Sequence, residues 1–311
     1  MDNRIIAVIV AIAVVAVGAF FLWGGSGEDM TIGYMPSDHN AALFVADSQG
    51  KFQENGIKTK LVQFYSEGDL MAAMASGDVD IGFVGIGSVL SSIEIGAPVK
   101  VISAAQTEGS AVVVAKDVGV NSVKDLAGKR IATPGESSIQ HMLLSYCLKK
   151  NGSSINDLNV TVMKIPSMND ALRTGKIEGM ITCEPYVSIA VRNGAKVLVD
   201  SHDILPDHPC CVVAASDKFI NEHPNETVKI LEIHRNATDF INDNTNESVK
   251  LLPRDLLGDG GAERMSMSSL PFISGLNDTY KKDVMDFMKL EVDLGILKKP
   301  ISEDKIFWEG S

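Results

Sequence analysis

Hydrophobic positions along the chain fall into short unbroken runs and longer stretches with apolar residues three and four apart, divided by glycines and acidic residues. The short runs predict strands at 31–35, 57–64, 81–84, 99–105, 111–115, 160–165, 180–182, 196–199 and 210–215, with one more ending at Ala132. The periodic stretches predict helices at 41–48, 67–76, 89–94, 169–174, 186–193, 226–242 and 280–294, and another ending near Lys150. Ser137 and Gln140 have the spacing of a capping box for that last helix. The stretch 77–88 organises the rest, because a weaker copy of it returns at 175–186. In both, a helical pattern meets a glycine suited to a left-handed C-cap, then an acidic residue, an apolar strand and a break. The run 81–84 is short and wholly apolar, as in a buried strand of a parallel sheet.

A repeated strand–helix unit predicts an α/β chain of two lobes, with ligands bound beyond the carboxyl ends of the strands. The expected partition is lobe one at 30–110, lobe two at 111–209, and a return to lobe one at 210–311. Two crossings between lobes make a hinge. Three strand-to-helix turns are aimed at the expected cleft: Ser37, Asp38, His39 and Asn40, with Pro36 before them; Gly85, Ile86, Gly87 and Ser88; and Gly135, Glu136, Ser137 and Ser138, with His141 after them. Amides and hydroxyls at helix N-termini stabilise an anionic or hydrogen-bond-accepting group, so a small anion or zwitterion is the expected ligand. Asp38 and Glu136 keep a cationic or neutral heterocycle as the alternative. Gln106 and Ser110, where the chain leaves lobe one, join the candidate contacts, as does Cys210 at the return crossing. Glu184 and Tyr186 lie beyond a lobe-two strand. The same residues also suit a helix start, with Glu184 as cap and Pro185 in the first turn.

The net charge of −12 disfavours nucleic acid, since the chain has no basic stripe to displace phosphate counterions. Residues 5–23 are apolar or small throughout, nearly enough at ~1.5 Å per residue to span a ~30 Å hydrocarbon core. Arg4 before the run, with Glu28 and Asp29 after it, orients the remainder outward. Residues 1–29 are thus expected to be a transmembrane anchor and tether, or else a cleaved signal segment. Six Asn-x-Ser/Thr sequons, at Asn151, Asn159, Asn225, Asn236, Asn246 and Asn277, suit a glycosylated exterior protein. Cys147, Cys183, Cys210 and Cys211 lack metal-ligand spacing, so no metal or cofactor is expected and they read as small buried residues.

The residues Gly33-Tyr-Met-Pro-Ser-Asp-His-Asn-Ala-Ala-Leu-Phe-Val-Ala46, Gly77-Asp-Val-Asp-Ile-Gly82, Asp125-Leu-Ala-Gly-Lys129, Gly175-Lys-Ile-Glu178 and Glu184-Pro-Tyr186 carry a family likeness. Together they resemble the substrate-binding proteins of ABC importers for nitrate, sulfonates, taurine and thiamine-precursor compounds. The resemblance covers the chain from Met30 onward. It implies a two-lobed, type II periplasmic-binding-protein fold that, outside the cytoplasm, closes on a small solute and hands it to an ABC permease in the membrane driven by an ATPase. It also places Glu184 and Tyr186 in the cleft. An N-terminal anchor in place of a lipid-modified cysteine resembles an archaeal surface protein. The fold also carries enzymes, including thiamine-pyrimidine synthases and menaquinone-pathway lyases. This chain lacks the iron-binding cysteine cluster of those synthases and pairs no nucleophile with a base at recognisable spacing, so a binding protein is the expectation.

Overall fold

The structure is a computed structural model that describes residues 29–254 and 260–310. The expected membrane segment at 5–23 lies outside these residues. Among the described residues, no helix is long and apolar enough to cross a membrane.

Two mixed sheets organise the chain. The first holds six strands: β1 (Met30–Tyr34), β2 (Thr59–Gln63), β3 (Ile81–Gly85), β4 (Val99–Thr107), β10 (Pro209–Ser216) and β11 (Phe272–Gly275). Their order is β11-β4-β10-β3-β1-β2. The second holds five: β5 (Ser110–Val114), β6 (Arg130–Thr133), β7 (Asn159–Val162), β8 (Gly179–Cys183) and β9 (Lys196–Asp200), in the order β7-β6-β8-β5-β9. The strand at 81–84 is fully buried as its composition requires, but its sheet is not wholly parallel. β3 pairs parallel with β1 on one side and antiparallel with the returning β10 on the other.

Helices fill the crossovers. Ser66 caps the helix Glu67–Ser76 by accepting from the Asp69 amide, and Gly77 ends it at φ 84°, a left-handed conformation that glycine adopts without strain. The next helix, Ile86–Glu94, begins three residues before the expected start, directly at the end of β3. Pro166 sits in the first turn of the helix Ile165–Arg173, where its missing N–H costs nothing, so that helix begins earlier than the sequence suggested and β7 is correspondingly short. Ser138, not Ser137, caps the helix Ile139–Lys150, its Oγ accepting from the His141 amide at 3.2 Å.

The long helices Pro224–Asp243 and Asp278–Asp293 bury their apolar faces against the first sheet's side of the molecule. Elements without a sequence signal include β11 and the helix Gly260–Ser269, which packs on the turn at Asp38–Asn40 and on the helix Tyr186–Arg192.

The chain passes between the sheets at Glu108–Gly109 and again just before β10. The passages are joined: the Glu108 amide donates to His208 O at 3.2 Å, and Glu108 Oε1 accepts from the Asp207 amide at 2.7 Å. Gly109 has φ 78°, and a Cβ there would stand 2.2 Å from Leu270 and 2.7 Å from His39 Nε2. Only glycine fits between those side chains without displacing them.

Candidate functional site

β1 ends at Tyr34 and the chain turns through Pro36 into the 3₁₀ turn Asp38–Asn40. Ser37 Oγ caps that turn by accepting from the His39 amide, and it donates across to Glu184 O at 2.7 Å. Asn40 Nδ2 donates to Met35 O, which draws the turn tight. His39 is thereby carried inward. Its Nε2 lies 3.2 Å from Gly109 O. A carbonyl only accepts, so Nε2 holds the proton of that bond and Nδ1 faces the other way.

Nδ1 faces β10. In a regular strand Cys210 and Cys211 would point to opposite faces of the sheet. Register shifts against β4 on both sides of Cys211 mark a bulged segment, which re-aims side chains. As a result both sulfurs meet the same nitrogen: Cys211 Sγ is 3.4 Å and Cys210 Sγ 3.6 Å from His39 Nδ1, and the sulfurs are 3.9 Å apart. The hydrogen bond between the two sulfurs lowers the Cys211 pKa and raises that of Cys210, and the nearby His39 lowers Cys211 further. Burial acts to lower the His39 pKa, but the charge of Cys211 and its hydrogen bond outweigh it, so the net direction is upward. The cysteines thus do more than fill space with alternate side chains.

A third group enters from the helix Glu67–Ser76. Glu67 Oε1 accepts from the Gly85 amide at 3.0 Å, and Oε2 from Ser88 Oγ at 2.6 Å. Burial pushes the Glu67 carboxyl up to about 7, against the lowering effect of those bonds. The donors expected to face a ligand at the second turn are therefore already taken by a carboxyl of the chain itself. Nothing local marked Glu67, because it reaches these donors from 18 and 21 residues away.

The second sheet supplies the opposite wall through Cys183 at the end of β8, Ile139, Gln140, Ile165 and Pro166. With Ser37, His39, Glu67, Gly85, Cys210 and Cys211 they enclose a cavity of about 30 Å³. That is room for about two waters.

Several candidates stand elsewhere. Glu184 is buried, but its carboxylate accepts from the Ser188 amide and hydroxyl in the first turn of the helix Tyr186–Arg192, whose N-cap is Pro185 and not Glu184 as the sequence suggested. Tyr186 donates its hydroxyl to Pro36 O at 3.0 Å, so it seals the cleft instead of lining the cavity. Ile86, Gly87 and Ser88 lie behind Gly85 in the helix. Gln106 Nε2 is bound to the carbonyls of Thr107 and Glu108, and Ser110 Oγ accepts from Gln140 Nε2 at 3.0 Å. Ser137 and His141 line a separate outer depression with Glu136, and Ser138 is the helix cap. Asp38 is buried against Glu263 and Ser266, and burial pushes its carboxyl up to about 7. Only Pro36, Ser37, His39, Gly85 and Cys210 of the candidates line the cavity.

Comparison with known proteins places this geometry. Residues 25–251 match the model of the NMT1-like family. A Bacillus subtilis protein named as an aliphatic sulfonates-binding protein is 27% identical over 242 residues, covering 72% of each chain. The taurine-binding periplasmic protein of Escherichia coli is 28% identical over 186 residues, 60% of this chain and 57% of that one. The alkanesulfonate-binding protein SsuA from Xanthomonas axonopodis pv. citri, solved bound to MOPS, superposes with a TM-score of 0.79 over 90% of this chain and 97% of its own, at 19% identity. That likeness shows a shared periplasmic-binding-protein fold. With the family match spanning well over half of its length, the chain belongs to the NMT1-like family.

Proposed function

We propose that the protein is the solute-binding component of an ABC import system, working outside the cytoplasmic membrane with residues 5–23 as its anchor. One observation carries the reading: the cavity is walled by both sheets and closed by hydrogen bonds that cross between them, Tyr186 to Pro36 and Ser37 to Glu184. A solute of several heavy atoms exceeds the enclosed space, so it is admitted only as the sheets part. Residues 30–110 with 210–311 then move as one lobe and 111–209 as the other, flexing where the chain crosses at Glu108–Gly109 and before β10.

The favoured solute is a small zwitterion of the aminosulfonate kind. Glu67 offers a buried carboxylate for an ammonium. Among the described residues no lysine or arginine lines the cavity. A relative named for taurine supports this choice.

The test is calorimetry on the purified protein with taurine, alkanesulfonates, nitrate, bicarbonate and aminopyrimidines, with small-angle scattering for lobe closure. Taurine-like compounds are expected to bind and to compact the molecule, and Glu67→Gln to weaken them at least tenfold. Binding by nitrate or an aminopyrimidine alone overturns the zwitterion, and failure of every compound overturns the solute-binding reading.

A further inference from the structure

The expectation of no metal at Cys210 and Cys211 rested on the spacing of the cysteines along the chain, whereas tetrahedral sites draw ligands from more than one segment. The fold removes that objection. His39 arrives from the turn after β1, 171 residues away along the chain from Cys210, and its Nδ1 faces both sulfurs.

The three atoms also have the spacing that a metal imposes. With metal–sulfur bonds of about 2.3 Å, metal–nitrogen bonds of about 2.0–2.1 Å and tetrahedral angles, two sulfurs stand about 3.8 Å apart and each stands about 3.6 Å from the nitrogen. The observed separations are 3.9 Å between the sulfurs and 3.6 and 3.4 Å to Nδ1. An ion placed between them needs little movement of any side chain.

The support around the ligands is of the kind metal sites have. A ligating histidine usually donates its other ring N–H to a carbonyl or carboxylate, which fixes the tautomer and the ring plane. His39 Nε2 meets Gly109 O in that way, and Gly109 is held in place by its left-handed φ and crowded surroundings. The bulge in β10 turns two consecutive thiols to one side, and neither is in a disulfide. All three residues are buried, with exposures of 3% for His39, 0% for Cys210 and 9% for Cys211, yet all three line the cleft cavity.

We propose that His39 Nδ1, Cys210 Sγ and Cys211 Sγ form a three-ligand site for a thiophilic d¹⁰ cation, Zn²⁺ above all, with the fourth coordination position open to the cleft. Two sulfurs and an imidazole select such ions over Mg²⁺ or Ca²⁺, which need oxygen ligands. Three protein ligands and one free position are what allow a metal to hold an exchangeable group. The site stands whatever solute the cleft carries. The second cluster of ligand-type residues, Glu108, His202 and Asp207, is a poorer candidate: Glu108 Oε1 is already engaged by His202 Nδ1 and by the Asp207 amide.

The test uses the full-length protein, freed of metal by a chelator under reducing conditions, and titrated with Co²⁺ and then Zn²⁺ alone. One Co²⁺ per chain is expected, with the strong near-ultraviolet thiolate-to-cobalt absorption and the visible bands of a tetrahedral ion, both displaced by one Zn²⁺. Cys210→Ser with Cys211→Ser, and separately His39→Gln, are expected to lower zinc affinity by more than about 100-fold, beyond the cost of losing a supporting partner. Cys147→Ser and His202→Gln are expected to leave it unchanged. Circular dichroism and chemical-shift dispersion check that each variant is folded. If a variant unfolds, the cobalt spectrum of the wild-type chain still decides the matter. A cobalt spectrum without thiolate absorption overturns the site, as does zinc binding that survives the cysteine changes or is lost with His202→Gln.

Discussion

The Tyr186 hydroxyl donates to Pro36 O at 3.0 Å, joining the helix beyond β8 of one sheet to the turn beyond β1 of the other. Ser37 Oγ to Glu184 O runs alongside it at 2.7 Å. Parting of the two sheets, as proposed for solute entry, would break both bonds, so each is expected to stabilise the closed state relative to the open one. Tyr186→Phe removes one hydroxyl and leaves Pro36 O without that donor, a change of about 1 kcal/mol. Solute affinity is expected to fall by up to ~10-fold with little change in thermal stability. A double-mutant cycle with Ser37→Ala, read by calorimetry, checks whether the two bonds act together, as residues in one network do.

Gly109→Ala is expected to destabilise the protein by about 1–3 kcal/mol, because it combines a left-handed φ with a clash. Its Cβ would meet Leu270, His39 and Gln106, all at or near the crossing between the sheets. Urea denaturation measures the loss. A readout at the cavity should move as well, since Gly109 O is the partner of His39 Nε2.

The strands and helices that face the cleft were legible in the sequence because each carries its own local chemistry. The glycine C-cap at Gly77 and the unbroken run at 81–84 identify the unit around β3 without tertiary information. The helix Gly260–Ser269 was not legible, since serines, glycines and methionines give it no apolar stripe. Its position over Asp38–Asn40 is set by packing. The approach of Glu67 to Gly85 and Ser88 follows from how a helix lies on a strand 18 residues later. The common orientation of Cys210 and Cys211 depends on a register shift against β4, and the strand's own residues do not encode its partner's register. The expected anion cradle at Gly85 and Ser88 was sound as chemistry, and the chain fills it with its own carboxyl.

Glu291 provides a stability switch remote from the cavity lining. Its side chain is buried, and neither carboxylate oxygen has a hydrogen-bond partner among the described residues. Burial first, and then Glu94, push its carboxyl from the ordinary 4.5 up to about 8. Below pH 4.5 both the folded and unfolded chains carry the proton, so this group is neutral in its effect. Between pH 4.5 and 8 the unfolded chain ionises first, and stability is lost as pH rises. Glu291→Gln removes that loss. Relative to wild type, its melting temperature is expected to shift upward steadily from pH 4.5 to 8 and to level off above. Scanning calorimetry of both proteins across this range checks it, and a constant difference at every pH refutes it.

The pH dependence of solute binding tests the role given to Glu67. Burial raises its carboxyl to about 7, while the Ser88 hydroxyl and the Gly85 amide act in the opposite direction. Below pH 7 the group is mostly protonated and offers an ammonium no charge. Above pH 7 it is ionised and does. Affinity for a taurine-like zwitterion is therefore expected to rise between about pH 6 and 8 and then to level. Ser88→Ala removes a bond to the ionised form, so it should move the midpoint of that rise to higher pH. Glu67→Gln should flatten the rise altogether. Calorimetry at half-unit steps of pH on the three proteins separates these outcomes. An affinity that falls as pH rises would mean that the cleft holds an anion on a protonated Glu67 or His39, and the ammonium assignment would be wrong.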